Sequence, residues 1–351
     1  MCDETKLCSR PVFFRRNRVF RVYRGGKLFH DFFGDPPEDG NFPEEWVASQ
    51  VLALNRERGS NTEGLSFAEN SHLPFSVLME KHKQEMLGDS GDFDILVKLL
   101  DSAVRLPVQA HPDRAFSERY FNSKHGKTEM WLILQTRPDA CIYLGFKDKT
   151  DKQTLSALTE ASMTDRDVMI PYLNRVDVKP GDVYLIPAKT VHAIGAGCLI
   201  LEVQEPTDFT IQPEHMCDDY KLSEYEMYLG LSKDVALDCF DYGKHGADIV
   251  GAAKKTPLVI GNGNGRLYEQ LIGAEDTPCF RVYRHTLTDT QVCLSSAPSL
   301  FIVTEGSGLL SGEDYTREIR KGDYFFLPFA AKSKFTLKAF NICLVECKSG
   351  W

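Results

Sequence analysis

Short apolar runs, many of them alternating with polar residues, dominate the chain from Pro107 to about Gln204. The runs are VQAH, EMWLIL, ACIYLGF, DVYLIPA and CLILEVQ, and Gly, Pro, Asp and Lys separate them. Runs of this kind, bounded by turn residues, are typical of antiparallel strands in a sandwich or barrel. The pattern returns from Cys279 to Cys347. The sequence therefore predicts a mainly β protein.

Helical spacing lies outside these runs. The stretches 44–56, 76–88 and 223–242 are predicted to be helical, as is KQTLSALTEAS at 152–162. Residues 12–33 are rich in Phe, Val and Arg and contain Gly25-Gly26, which indicates strands around a hairpin.

A short repeat connects the two strand-rich parts of the chain. KPGDVYLIPA at 179–188 is echoed by RKGDYFFLPF at 320–329. In both, a Gly-Asp turn leads into a strand that ends at Pro, which indicates two related β-domains. The copies diverge five residues after the Pro, where the first has His192 and the second has Ser333.

We expect an N-terminal metal-binding catalytic domain at 1–250, with helical insertions, and a C-terminal domain at 251–351 that binds no metal. The cluster GNGNG at 261–265 lacks the spacing of a nucleotide-binding loop, and we interpret it as a linker.

Charge and composition narrow the possible partners. The 351 residues include 41 Lys+Arg and 50 Asp+Glu, so the net charge is −9. An acidic chain is a poor match for nucleic acid, and no apolar run reaches the roughly 20 residues that a membrane span requires. The ten cysteines form no CxxC pair and the N-terminus has no apolar leader segment, so we expect reduced thiols and a cytoplasmic protein. The oligomeric state stays open.

Polar side chains recur at the edges of the predicted strands. Gln109 and His111 are two apart and share a strand face, Glu129 begins EMWLIL, and His192 follows DVYLIPA. Each alone is more often an ordinary core or surface residue. Together, inward-facing polar groups on several strands are costly unless something satisfies them. Two oxygens and two imidazoles suit Zn²⁺, and Fe, Co or Mn accept the same ligands.

Three further charged residues accompany this set. Lys127 is two residues before Glu129 and can share its face, Lys98 is a lone charge in FDILVKLLD at 93–101, and Glu202 is near the end of CLILEVQ. The segment around Lys98 fits a strand or a helix. Each also has an ordinary interpretation. Lys127 could belong to a surface ion pair, Lys98 could extend its charged end to solvent, and Glu202 could be a solvated strand residue. If the ligand carries a phosphate, Lys127 and Lys98 are the candidate cations.

Four segments, VQAHPD, HGKTEMWLIL, GDVYLIPAKTVHAIGAG and LEVQEPTD, resemble the type I phosphomannose isomerases, which are cupin-fold proteins. The resemblance extends from about residue 20 to 340. It implies two cupin-type β-barrel (jelly-roll) domains, with additional helices in the N-terminal half. It also implies a zinc-dependent aldose–ketose isomerase that interconverts mannose 6-phosphate and fructose 6-phosphate through an enediol.

The resemblance also implies roles for individual residues. The zinc ligands, one ion per chain, fall on Gln109, His111, Glu129 and His192. The active-site lysine falls on Lys127, a proposed acid/base on Glu202 and a loop aspartate on Asp208.

One position departs from the family pattern. An arginine is expected four residues after Asp208, where this chain has the neutral Gln212. Either another basic residue compensates, or the substrate differs, or the rate is low. Two alternatives therefore stay open beside the sugar-phosphate isomerase. The chain could be a non-catalytic metal-binding cupin that senses carbohydrate, or an isomerase of a different sugar or sugar phosphate.

Overall fold

The computed structural model describes residues 4–55 and 60–350. Strands hold 37% of the chain and helices 18%, so the predicted mainly β class is confirmed. Within the described residues the helices are α1 (Glu4–Leu7), α2 (Phe29–Phe33), α3 (Phe75–Lys81), α4 (Lys83–Leu87), α5 (Arg114–Phe121), α6 (Lys152–Ala161), α7 (Glu224–Tyr228), α8 (Lys233–Leu237) and α9 (Ala247–Ala253).

The strands of the first part of the chain are β1 (Val12–Phe13), β2 (Arg18–Val19), β3 (Glu44–Val47), β4 (Leu96–Asp101), β5 (Glu129–Thr136), β6 (Cys141–Phe146), β7 (Leu173–Asp177), β8 (Val183–Ile186), β9 (His192–Ile194), β10 (Cys198–Gln204), β11 (Met216–Cys217), β12 (Tyr220–Lys221) and β13 (Lys254–Lys255). Those that follow are β14 (Leu258–Gly263), β15 (Arg266–Ile272), β16 (Phe280–Cys293), β17 (Ser299–Gly312), β18 (Tyr315–Arg320), β19 (Tyr324–Leu327) and β20 (Thr336–Ser349).

Two large antiparallel sheets have the same strand order. The N-terminal sheet runs β13-β8-β5-β10-β4-β3-β2, and the C-terminal sheet runs β1-β19-β17-β20-β16-β15-β14, with β18 added beside β17. The repeated Gly-Asp segments form β8 and β19, which are each second in their sheet. Position by position, the two sheets correspond. A three-stranded sheet, β7-β6-β9, lies beside the N-terminal one, and β11 pairs with β12.

The first strand of each large sheet lies across the predicted division at 250/251 from the other strands of that sheet. In β1, Val12 pairs with Phe326 of the C-terminal sheet, and in β13, Lys254 pairs with Tyr184 of the N-terminal sheet. One hydrophobic core contains residues of both sheets, such as Val345 of β20 and Leu201 of β10. The two sheets therefore share a core, and pairing crosses the predicted division at 250/251, which stays a prediction.

The helix predicted at 44–56 is wrong, because its first residues form the strand β3 and no helix follows among the described residues up to 55. The cause is tertiary. Glu44 and Glu45 are both buried, on opposite faces of the strand, and each meets its own partners. Glu44 accepts from Trp46 Nε1 at 2.6 Å, whereas Glu45 pairs with Arg18 at 2.9 Å. Burial of both acids overrides the helix propensity of the segment.

The hairpin predicted around Gly25-Gly26 is also wrong. Residues 12–33 form the short strands β1 and β2, and α2 follows the glycines. Gly25 instead pairs with Gly40 in an isolated bridge. A Cβ at Gly25 would lie 1.7 Å from the carbonyl oxygen of Asp101, so only glycine permits this approach.

The cluster at 261–265 is a hairpin turn rather than a linker. It ends β14 and leads into β15, with Asn264 and Gly265 at φ 52° and 72°. Asn-Gly in left-handed geometry is the preferred two-residue hairpin connection, and the sequence signal for it was present.

The run VQAH forms no strand and makes only isolated bridges at Gln109 and Ala110. The other predicted helices are confirmed with changed bounds. Segment 76–88 forms α3 and α4, 152–162 forms α6, and 223–242 contains α7 and α8. The ambiguous segment at 93–101 contains the strand β4. The described cysteines are free thiols, and Cys2 lies outside the described residues. None of the helices in the described part of the chain is long and apolar enough to cross a membrane.

Candidate metal centre and active-site pocket

Backbone pairing brings the four predicted metal ligands together. Gln109 and His192 exchange backbone hydrogen bonds of 2.9 Å in both directions, which places two segments far apart in sequence side by side. His111 lies two residues beyond Gln109, so it shares the same face. Glu129 is the first residue of β5.

Within this group the donor atoms of three residues lie within 4.8 Å of one another. His111 Nε2 is 3.2 Å from Glu129 Oε2, and His192 Nε2 is 3.4 Å from Glu129 Oε1. The amide nitrogen of Gln109 is 3.2 Å from His192 Nε2. All four side chains are buried, with His192 and Glu129 at most 1% exposed.

Hydrogen bonds at the far side of each imidazole orient both rings toward this point. His111 Nδ1 donates to the carbonyl of Phe209 and His192 Nδ1 to that of Thr190, each at 2.9 Å. Nε2 of each ring then carries the free lone pair, as in most metal-binding histidines. Burial, reinforced by Lys127, lowers the pKa of His111 to about 3, and burial also lowers the pKa of His192. Both rings are therefore neutral.

Glu129 supplies the negative charge. Burial alone would raise its pKa, but Lys127 and the histidines hold it well below the ordinary value. Its Oε1 is buried and accepts no hydrogen bond among the described residues, which is costly unless a cation satisfies it. Two neutral imidazoles, a carboxylate and an amide match the ligand types and number that zinc takes.

The lysine predicted to be catalytic lies against this centre. Lys127 is 3% exposed, its Nζ is 2.8 Å from His111 Nε2, and it donates to Glu129. Its ammonium therefore faces the same space as the ligand atoms.

A cavity of about 120 Å³ opens beside the centre. Every predicted catalytic and substrate-binding residue lines it, together with Gln109 and His111 of the ligand set; the lining includes Lys98, Gln109, His111, Lys127, Glu202, Asp208 and Gln212. The structure thus collects into one pocket the residues that the sequence singled out from five separate segments.

Glu202 is buried on β10 between Trp131 and Lys98 of the neighbouring strands. Trp131 Nε1 donates to it at 3.2 Å, and Lys98 Nζ lies 3.5 Å away. Burial, and then the charge of Glu129, raise the pKa of Glu202. A carboxyl group with a raised pKa can both accept and return a proton near neutral pH.

Lys98 and Asp208 face each other at the same wall. Lys98 is 4% exposed, so its charged end does not reach solvent. Burial alone would lower the pKa of Lys98, but Glu44, Glu202 and Asp208 raise it, so the group is an ammonium. Asp208 lies 3.8 Å from Lys98 and accepts from the backbone nitrogen of Leu54 at 2.9 Å.

Gln212 brings no charge to the cavity. Its side-chain nitrogen donates to the carbonyl of Glu226 at 2.8 Å, and its backbone nitrogen donates to Met227 at 3.0 Å. The side chain is thus held against the segment of α7.

Three residues that line the pocket, Arg21, Tyr23 and Glu44, and the adjacent Trp46 escaped the sequence analysis. Arg21, Tyr23, Glu44 and Trp46 form a buried group in which Glu44 accepts hydrogen bonds from Tyr23 and from Trp46 and pairs with Arg21 at 3.1 Å. The sequence signal for these residues was the spacing of two that is typical of a strand face. Arg21 and Tyr23 are two apart, as are Glu44 and Trp46, but the second pair was assigned to a helix.

Comparison with known proteins gives consistent matches over nearly the whole chain, although no protein-family profile matches it. Mannose-6-phosphate isomerase ManA of Bacillus subtilis is 30% identical, over 97% of this chain and 99% of the relative. Mannose-6-phosphate isomerase of Streptococcus mutans is 27% identical, over 93% and 94%.

Solved structures agree with these relatives. The mannose 6-phosphate isomerase structure from Bacillus subtilis superposes with a TM-score of 0.76 at 25% identity, covering 96% of this chain and 99% of that one. A zinc-bound mannose 6-phosphate isomerase structure gives a TM-score of 0.71 at 16% identity, covering 97% and 100%, and shares the fold.

Proposed function

The chain belongs to the mannose-6-phosphate isomerase family of aldose–ketose isomerases, and we propose that it interconverts mannose 6-phosphate and fructose 6-phosphate through an enediol, with one zinc ion per chain. The observation that carries this proposal is a pocket that adjoins the buried zinc-type donor set. A lysine against that set and a carboxyl group with a raised pKa line the pocket.

Zinc is supported by the donor set and by the zinc-bound relative of the same fold. Gln109, His111, Glu129 and His192 would hold the ion. A bound zinc ion supplies Lewis acidity toward the oxygens of the sugar.

The protein's own residues account for the transfer of the carbon-bound proton and for the stabilisation of the charge on oxygen. The isomerisation moves a proton from C2 to C1 and another between the oxygens O1 and O2. Glu202 takes the C2 proton as a carboxylate and returns it to C1 as a carboxylic acid, which its raised pKa favours. The Lys127 ammonium stabilises the negative charge that develops on the sugar oxygen. Asp208 lines the same cavity and is proposed to act with these two residues.

Substrate binding is assigned to the outer part of the pocket. Lys98 and Gln212 line the cavity and are proposed to contact oxygens of the sugar phosphate. The described ionic contacts of Lys98 are all with protein carboxylates. The position of the phosphate is therefore considered separately below.

We further propose that the two sheets belong to two cupin-type jelly-roll domains, 1–250 and 251–351. The identical strand order of the sheets supports this division. A cytoplasmic location stays a prediction, and the oligomeric state stays open.

Exchange of the C2 hydrogen of the aldoses, and of a C1 hydrogen of the ketoses, for deuterium in D₂O, followed by NMR, tests the proposed reaction. Zinc-loaded protein is incubated in turn with mannose 6-phosphate, fructose 6-phosphate, mannose and fructose. We expect exchange with the two phosphates and much slower exchange with the free sugars. Faster exchange with a free sugar would show a different substrate. No exchange with any sugar, despite bound zinc, would favour the carbohydrate-sensing alternative that neutral Gln212 suggests.

A further inference from the structure

We propose that Arg21 binds the phosphoryl group of the substrate and so sets the preference for a phosphorylated sugar. This inference rests on the proposed isomerase function. It starts from the charge balance of the pocket, in a protein whose net charge is −9. A phosphate dianion needs cationic donors in the pocket that receives it.

The pocket contains several carboxylates that oppose an anion. Among its lining residues are Glu44, Glu202, Asp208 and Glu226, and the cations that line it within the described residues are Arg21, Lys98 and Lys127. Each lysine is already engaged. A phosphoryl site must therefore be built on a cation that keeps free donors.

Lys127 is at the metal end of the cavity, where it contacts His111 and Glu129. A group there serves the reacting carbons, which lie at the opposite end of a hexose from the 6-phosphate.

Lys98 is surrounded by protein carboxylates. Its Nζ lies 3.5 Å from Glu202, 3.8 Å from Glu44 and 3.8 Å from Asp208, and its side chain is 5% exposed. The three N–H groups of this ammonium therefore face three carboxylates, which leaves no donor for a substrate anion.

Arg21 keeps unused donors. Its Nε is 3.1 Å from Glu44, Nη2 donates to Asp208 at 2.9 Å and Nη1 donates to Asn55 at 3.3 Å. A guanidinium has five N–H groups, so among the described residues one hydrogen on each terminal nitrogen of Arg21 has no acceptor. A planar guanidinium with donors left on both terminal nitrogens suits bidentate binding of phosphoryl oxygens.

The guanidinium is also held in place and reaches the cavity. It lies over the ring of Trp46, 5.2 Å from the centroid, and its side chain is 13% exposed. Its described contacts, with Glu44, Asp208, Asn55 and Trp46, include no proposed metal ligand. Arg21 is thus held in place and charged, and its described contacts leave the proposed metal ligands untouched.

The test compares Arg21→Gln with a matched control, Arg24→Gln. Arg24 follows in the same segment, is more than half exposed and pairs with Asp218 at 2.5 Å, so its loss should leave activity unchanged. In Arg21→Gln, Glu44 keeps Tyr23 and Trp46, and Asp208 keeps the Leu54 nitrogen. The variant is therefore expected to fold and to bind zinc.

For Arg21→Gln we expect KM for mannose 6-phosphate to rise on the order of 10- to 100-fold with a small change in kcat, the size of one lost charge-assisted contact. Inhibition by inorganic phosphate should weaken by a similar factor. Unchanged phosphate inhibition, or a loss that falls on kcat alone, would overturn the assignment.

Two further readouts separate the possible failures. If the wild-type protein does not exchange C2 deuterium with mannose 6-phosphate, the proposed function fails before Arg21 is tested. If Arg21→Gln loses zinc or its melting transition, Arg21→Lys decides. It keeps the charge without the fork, and we expect an intermediate rise in KM and intermediate phosphate inhibition; wild-type values for both would contradict the inference.

Discussion

The two large sheets have the same strand order, but a buried glutamate at the corresponding position has a different environment in each sheet. Glu202 on β10 lies opposite Trp131 of β5, and Glu346 on β20 lies opposite Phe301 of β17. The two glutamates thus occupy corresponding positions in corresponding strands. Both are buried, so their environment, rather than their place in the fold, decides what they can do.

The polar side chains that contact Glu346 donate hydrogen bonds to it. Ser296 and Ser299 hydroxyls donate to it, the latter at 3.0 Å, and His285 Nε2 lies 2.8 Å away. Burial alone would raise the pKa of Glu346, but His285 and Ser296 lower it. Glu202 has fewer donors and a raised pKa. One carboxylate is a satisfied core group, and the other retains the capacity to move a proton.

The ligand positions differ in the same way. Glu129 begins β5, whereas Ser299 begins β17, and His192 corresponds to Ser333 in the repeated segment. At these two positions the N-terminal part of the chain therefore has metal-type donors where the C-terminal part has serines.

The largest contrast is expected from His192→Ala against Ser333→Ala. Loss of the imidazole removes one of four zinc donors, so bound zinc and isomerase activity should both fall, activity by at least ~10³-fold. Ser333 is exposed, so its replacement should change neither. Metal analysis and the C2 exchange assay measure both variants, and retained activity in zinc-free His192→Ala would contradict the metal's role.

Glu202→Gln against Glu346→Gln is expected to show the next largest contrast. Loss of a general acid/base lowers rates by about 10²- to 10⁴-fold, so kcat should fall by this amount in Glu202→Gln with zinc retained. Glu346→Gln should keep wild-type kcat in the folded state. Steady-state kinetics with zinc content as the control measures both. Equal losses of kcat in the two variants would remove the distinction between the sheets.

The pH dependence of activity should reflect the raised pKa of Glu202. Because the carboxylate form accepts the C2 proton, kcat should fall as pH drops through that pKa, by about tenfold per pH unit below it. The fall should begin at a higher pH than the ordinary glutamate value of about 4.3. The residual activity of Glu202→Gln should lack this limb, with zinc content measured at each pH. An acid limb that persists unchanged in Glu202→Gln would assign it to another group.

The smallest effect concerns stability in the C-terminal sheet. The folded-state pKa of Glu346 is lowered, so its contribution is fully present above the unfolded value of about 4.3 and is lost as pH falls toward the folded value. Glu346→Gln should cost about 1–3 kcal/mol of unfolding free energy at pH 7, through lost charge-assisted hydrogen bonds. That difference should shrink at acid pH. Denaturant titrations at both pH values measure it, and a difference that grows toward acid pH would show that the sign is wrong.

Much of the candidate site was accessible from sequence because its residues begin or end clear strands. Gln109 and His111, and Lys127 and Glu129, have strand spacing, and the structure brings these pairs to one pocket. The repeat also indicated where the two parts of the chain diverge, at His192 and Ser333.

The features that the sequence did not predict depend on contacts between distant segments. Glu44 and Glu45 form a buried strand because Arg21 pairs with Glu44 on one face and Arg18 pairs with Glu45 on the other. The addition of β1 and β13 to the edges of the two sheets has no local signal either, since two-residue strands are set by the sheet that receives them. The hairpin at Asn264-Gly265, by contrast, has a clear local sequence signal, and the interpretation of this cluster as a linker is wrong.

Removal and return of zinc tests the central claim most directly, because that claim joins the buried donor set to the proton transfer. The protein is stripped with a chelator, and C2 deuterium exchange with mannose 6-phosphate is measured before and after one equivalent of zinc is added. We predict that exchange disappears in the stripped protein and returns with zinc in the wild type, but does not return in His192→Ala. Exchange that continues at the wild-type rate in fully stripped protein would contradict the account.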